Sequence, residues 1–367
     1  MKAYLCDMFQ RIIQVISDEI AALFELKKTE RLWHIPVLAS LCVGVPLIVG
    51  YLLDRLDYGL LSCLGGLVIL YMPSTGVANR MITLLACSFG FLVAYAVGIV
   101  FSFHPAVSAL SLGLFAFAAH WVTNYLQIRP PGNFFFIMLA SVSACAPFDL
   151  TSVPTRIGLI AMSTMFATGL ALVYSLFIVS KYPPKEQVNR PLKHQFERIF
   201  ESAIVGVFIG GSMLVAKLLE LNNPYWIPIS CLAVMQGVST RHIFQRSFQR
   251  ILGTSIGMLL AWVLLSFNPG PLGFVIGILT LQFIVEMLIV RHYALAVVFI
   301  TPMTLFLAEA ASNSTLTVNE LIATRFLDIV IGSVIGAIGG WFLYHQKLNQ
   351  QTKKSIRLTQ KVLHRTR

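Results

Sequence analysis

The chain has 367 residues, 57% of them hydrophobic and 12% charged, with a mean hydropathy of +0.77. A soluble domain of this length cannot hide so much apolar surface, so the composition excludes soluble classes and leaves a polytopic membrane protein. The net charge of +11 collects in alternate loops and the C-terminal tail, which points to membrane topology rather than to nucleic acid.

In chain order, residues 5–26 place Phe9, Ile12, Ile16, Ile20 and Leu23 at helical spacing with charges between, ahead of the basic cluster Lys27, Lys28 and Arg31. Residues 1–34 therefore read as a cytoplasmic amphipathic helix, lying on the membrane or packed on the ends of the bundle. Apolar runs follow at about 35–53, 58–72, 81–103, 105–123, 133–148 and 156–180. After a polar connector (181–200) a second set occupies about 201–219, 225–238, 247–267, 271–290, 293–309 and 321–345, and a basic cytoplasmic tail (346–367) closes the chain. The expected fold is all-α, with about 12 transmembrane helices as two parallel six-helix membrane repeats, 35–180 and 201–345. A spanning helix takes about 20 residues. The second and fifth runs of each set have only 14 to 17, and paired short segments in matching places of two halves point to a transport site.

Local matches support the repeat. Ser-Cys-Leu at 62–64 falls on 230–232, Arg80 on Arg250, and Thr-Arg at 155–156 on 324–325. Bases such as Arg80, Arg129, Arg241, Arg246, Arg250 and Arg291 sit in segments placed inside. Outer segments hold few bases beside Asp54, Asp57, Asp149 and Glu220. This alternation sets both termini in the cytoplasm. Six crossings per half is an even number, so the halves run in the same direction.

Several residues are candidates for chemistry. Arg156 and Arg325 take equivalent places near the outer end of the last helix of each half, where two guanidiniums would suit carboxylates. Snorkelling to headgroups, or an Arg325–Asp328 pair one turn apart, explains them equally. Arg80 and Arg250 mark the inner ends of the third helices. Tyr225 and Trp226 open a short helix and would stack on an aromatic substrate or join an interfacial belt. Pro228 follows them, where a helix break would offer backbone groups. Proton-coupling candidates are Glu286, Asp328 and His120, with a salt bridge to Arg291 as the alternative for Glu286 and Asn124 at its matching place in the first half. Glycine pairs at 206/210, 253/257 and 332/336 read as close-packing faces. The six cysteines form no CxxC pair and read as packing residues. There is no GxxxxGK[ST], HExxH or GxSxG, and no nucleophile–base set, so neither an enzyme nor a cofactor or metal is expected.

The runs YWIPISCLAVMQ (225–236), QRILGTSIG (249–257) and TRFLDIVIG (324–332) resemble the fusaric acid resistance family, also called the aromatic acid exporters. The first half matches more weakly, since Arg80 is followed by MITLLACSFG without Gly-Thr. The resemblance implies a bacterial inner-membrane efflux component for aromatic carboxylic acids, working with a periplasmic membrane-fusion adaptor and an outer-membrane channel. It also looks like the plant malate channels, where two six-helix units form an anion pore. Many members carry a large cytoplasmic domain, whereas the connector here has about twenty residues. The expected partners are a small organic anion, the lipid bilayer, these efflux components and further copies of the chain. The leading expectation is proton-driven export with the path between the two repeats. The alternatives are a passive anion channel and a non-transporting lipid-binding or assembly protein.

Overall fold

The computed structural model describes residues 29, 31–179, 181–182, 195–221, 223–311 and 318–344. Residues 1–28 and 30 of the expected N-terminal amphipathic segment (1–34), most of the connector and the basic tail lie outside them. The described residues form twelve α-helices: α1 His34–Leu52, α2 Leu56–Gly66, α3 Val77–Val100, α4 Pro105–Tyr125, α5 Phe134–Ala144, α6 Val153–Ile178, α7 Gln195–Leu218, α8 Trp226–Met235, α9 Thr240–Ser266, α10 Pro271–Leu288, α11 Tyr293–Ala311 and α12 Val318–Tyr344. A 3-10 turn, Leu67–Tyr71, prolongs α2.

Eight helices are long and apolar enough to cross a membrane, while Leu56–Tyr71, Phe134–Ser143, Trp226–Met235 and Tyr293–Leu307 are shorter apolar segments. These four are the second and fifth of each half, as run length alone indicates. The ends follow local chemistry. His104 caps α4 by accepting the Ala106 N–H at 3.2 Å, with Pro105 in the first turn, where a missing N–H costs nothing. Asp54 and Glu220, each two residues beyond a helix end, adopt left-handed φ of 54° and 48°, a conformation that stops a helix after α1 and again after α7.

The helices sort into two compact units that do not follow the two halves of the sequence. Unit 1 comprises residues 1–72, 158–183 and 248–326; unit 2 comprises 73–157, 184–247 and 327–367. Unit 1 thus takes α1, α2 and most of α6 from the first half, and most of α9 with α10 and α11 from the second. Unit 2 takes α3, α4 and α5 from the first half, and α7, α8 and most of α12 from the second. Within each unit a first-type helix packs along a fourth-type helix of the other half: α1 on α10, and α7 on α4.

The glycine faces do what their spacing suggests. In unit 2 a Cβ on Gly210 would fall 2.9 Å from the Ala109 carbonyl oxygen and 3.1 Å from Gly113 Cα, so α4 and α7 meet backbone to backbone. In unit 1, Gly257 faces the Val298 carbonyl, which a Cβ would approach to 2.6 Å. That carbonyl lies four residues before Pro302, which stands inside α11, so its helical donor is missing and the glycine lets α9 close over it. Leu47, Leu60, Leu265, Val275, Ile278 and Phe306 fill the core of unit 1. Val234, Ile243 and Ala337 form a smaller cluster in unit 2. Cys42, Cys63, Cys87 and Cys231 are buried among the helices. Gly210→Leu inserts a branched side chain where no space exists, and overpacking costs about 1–3 kcal/mol. Purified variant protein in detergent is expected to melt well below wild type, whereas Gly211→Leu, on an open face of the same helix, is expected to melt near it.

Candidate functional site

In unit 1 two buried arginines converge on one helix. Arg250, 5% exposed, donates from Nη1 to the Tyr293 hydroxyl at 3.3 Å. Arg325, 4% exposed, donates from Nη2 to Thr304 Oγ1 at 3.0 Å. Tyr293 and Thr304 both belong to α11, three turns apart on one face and separated by about 16 Å along the axis. A guanidinium taken out of water needs acceptors nearby, because its donors are costly to leave unmade. Burial also means that Arg325 does not snorkel to headgroups. Asp328 lies one turn further along α12 and is 1% exposed.

Unit 2 holds the corresponding arginines at the two ends of α3. Arg80 is buried in its first turn. Arg156 is half-buried and lies beside the Tyr95 hydroxyl near the other end. Within their own units, Arg156 has the Tyr95 hydroxyl as its neighbour and Arg325 has Thr304.

The proton-coupling candidates divide. Glu286 is not tied to Arg291. Its Oε2 takes a 2.7 Å salt bridge from Arg31 Nη2, Arg31 Nη1 donates to the Glu286 backbone carbonyl at 3.1 Å, and Gln282 Nε2 donates to Oε1 at 3.4 Å. The sequence reading placed Arg31 in a surface cluster and could not see a partner 255 residues away. His120 Nδ1 faces Asn133 Nδ2 at 3.1 Å, which in the neutral ring makes Nδ1 the acceptor. Packing also corrects the match of Glu286 with Asn124. Leu279 of α10 covers Gly44 and Gly113 of α4 meets Gly210; seven residues beyond Leu279 is Glu286, and seven beyond Gly113 is His120.

Tyr225 and Trp226 are half-buried and lie together, ring centroids 5.0 Å apart at 46°. Pro228 is buried and sits in the first turn of α8, where helical N–H groups have no partner anyway. It breaks no ladder bond and frees no carbonyl inside the helix, contrary to the break expected of it. Two further cations close helix ends. Lys217 Nζ donates to the Ala144 carbonyl at 2.9 Å and so closes the end of short α5. Arg246 Nη1 reaches the Ala233 carbonyl of short α8 at 3.4 Å. Cations at helix C-termini complement the carbonyl dipoles there. An apolar groove of about 400 Å³ between α3 and α4, lined by Val97, Phe101, Val107, Leu110, Leu114 and Phe115, includes none of the arginines.

Replacing Glu286 with Gln takes the negative charge from Arg31 and leaves its bond to the backbone carbonyl of residue 286. Breaking a buried pair by removing one partner costs about 3–5 kcal/mol. Glu286→Gln is expected to lower the melting temperature markedly, and Glu286→Gln with Arg31→Gln to recover part of the loss.

Comparison with known proteins agrees with this membrane architecture. Residues 204–339 match the family model described as fusaric acid resistance protein-like. That span runs from α7 into α12 and contains all three runs that carry the resemblance in the sequence. Across 95% of its length the chain is 24% identical to 78% of a protein of Bacillus subtilis (strain 168) named "Uncharacterized membrane protein YvaC". No solved structure matches. The chain is thus similar over its second half to the fusaric acid resistance protein-like model and along most of its length to a membrane protein, in agreement with its apolar helices.

Proposed function

We propose that the protein exports small organic anions, aromatic carboxylic acids first among them, across the bacterial inner membrane, with the proton gradient as the driving force. The observation that carries this reading is the pair of buried guanidiniums on one face of α11, Arg250 at its start and Arg325 three turns on. Buried arginine in an apolar helix bundle is costly and characteristically serves a charged solute. The bidentate geometry of guanidinium suits a carboxylate. Unit 1 is built from helices of both halves, so a path along α11 runs between the repeats without leaving the unit. Thr304 and Tyr293 hold the guanidiniums and are themselves polar stations for a solute. The Tyr225–Trp226 pair offers an aromatic surface in unit 2. Asp328 is the acid closest in sequence to Arg325 and the leading proton carrier. A periplasmic adaptor and an outer-membrane channel complete the proposed route to the medium.

A passive anion channel is the second reading, and one observation favours it: Glu286 is engaged by Arg31, which removes one of the acids proposed to carry protons. Reconstituted protein decides between them. Benzoate accumulation against its gradient that an uncoupler abolishes supports the exporter; anion current persisting without a proton gradient supports the channel.

Arg325→Ala is expected to abolish benzoate transport at unchanged expression in either case. Thr304→Val, which removes one hydrogen bond to a charged group, is expected to reduce it about tenfold. Wild-type transport by Arg325→Ala protein would remove this residue from the path.

A further inference from the structure

α3 and α4 follow each other in the chain and are both long and apolar enough to span a membrane, yet a groove of about 400 Å³ lies between them. Glycine contacts on their other faces account for it. A Cβ on Gly113 of α4 would fall 2.9 Å from the Gly206 carbonyl oxygen, so α4 is drawn onto α7. A Cβ on Gly98 of α3 would strike Ser143 Oγ and the Ala140 carbonyl oxygen, so α3 is drawn onto α5. Each helix closes on a different partner, and a gap is left where the two face each other.

The groove lies wholly in unit 2. Its walls are the end of α3, with Val97 and Phe101, and the first turns of α4, with Val107, Leu110 and Leu114. Ser111 is the polar member of the lining, and its hydroxyl donates to the Ser108 carbonyl at 3.0 Å. An apolar space of this kind gives water no partners and stays dry. Leu110 and Leu114 are 66% and 63% exposed, so the groove is open along its side, and the surroundings of a spanning helix are hydrocarbon.

Size selects the occupant. Residues 107–115 carry the groove along α4 for about 12 Å. Its volume over that length leaves a section of about 33 Å², less than half of the roughly 80 Å² taken up by a helix about 10 Å across. A helix of a second copy or of another protein is too wide for it, whereas an extended hydrocarbon chain is not. The mouth, at residues 101–104 between the two helices, supplies a polar end. His104 is exposed there and its Nδ1 accepts the Ala106 N–H at 3.2 Å, so the neutral ring carries its proton on Nε2 and offers a donor. Phe103 packs edge-on to Phe148, ring centroids 5.6 Å apart at 67°, as aromatic rings do at headgroup level.

We propose that this groove binds one phospholipid of the surrounding bilayer, with an acyl chain along residues 107–115 of α4 and its phosphate accepting from His104 Nε2. The lipid restores the dispersion contacts that α3 and α4 do not make with each other. The site goes beyond the transport proposed above, since it uses neither α11 nor its arginines.

The test uses the full chain in phosphatidylcholine vesicles that carry a trace of phosphatidylcholine with a photoactivatable group in one acyl chain. After illumination the labelled residues are mapped by mass spectrometry. Label is expected to concentrate on residues 97–101 and 107–115, several-fold above that on Met162 and Leu176, which lie on the exposed face of α6 and report ordinary bilayer contact. Ser111→Phe, which fills the groove, is expected to cut that label several-fold, while Gly211→Phe, on an open face of α7, leaves it unchanged. His104→Asp keeps an acceptor for the Ala106 N–H and loses the donor; it too is expected to lower the label several-fold. Should Ser111→Phe not fold, the wild-type map and Ser111→Leu carry the same comparison. The proposal is overturned if label spreads evenly over the groove and α6, the mark of bilayer contact only. It is overturned equally if the groove is protected from label, the mark of a protein occupant, or if filling the groove or His104→Asp leaves the label unchanged.

Discussion

A guanidinium held inside an apolar helix bundle must find oxygen or an aromatic face within a few ångströms, and that requirement organises much of this protein. Its N–H donors are costly to leave unmade, and three arginines of unit 1 each reach an oxygen on another segment. Arg31 takes Glu286, Arg250 takes Tyr293 and Arg325 takes Thr304. The first joins segments 255 residues apart, and the other two tie α11 to α9 and to α12. The side chains that receive Arg250 and Arg325 both stand on α11, and the one that receives Arg31 stands on α10.

The backbone meets the same demand by other means. Short α5 and α8 end at carbonyls that lysine and arginine side chains close. The carbonyl released by Pro302 is covered by Gly257. Small residues bring helices near enough for dispersion to act, in surroundings where lipid tails are as apolar as the side chains they would displace. Polar satisfaction and close approach thus replace the hydrophobic drive that assembles a soluble domain.

Much of this was legible in the sequence. Run length marks α2, α5 and α8 as short beside the long helices, because the bilayer sets one number that every span must meet. Glycine spacing identifies the packing faces, and the position of Arg325 in an apolar helix marks it as unusual. Other features have no local signature. Arg31 looks like one more base in a surface cluster until α10 is laid beside α1. Lys217 looks like a topological exception, because its partner is a backbone carbonyl, which every residue possesses. Counting through loops matches Glu286 to Asn124, whereas counting from the glycine contacts of α10 and α4 gives its place to His120. Loop lengths drift between the halves, and only contacts restore the register. Least visible was the way the helices are shared out, since hydropathy reports where helices are and says nothing of which ones adjoin.

That sharing bears on how the chain is made. Neither unit is complete in the first 180 residues: α1 and α2 lack α10 and α11, and α3, α4 and α5 lack α7 and α8. During synthesis the early helices must therefore wait in the membrane, their glycine faces and arginines uncovered, until the later ones emerge from the ribosome. A chain interrupted at the connector yields two fragments that each hold half of both units. Such fragments are not independent folding domains; each is the other's missing complement.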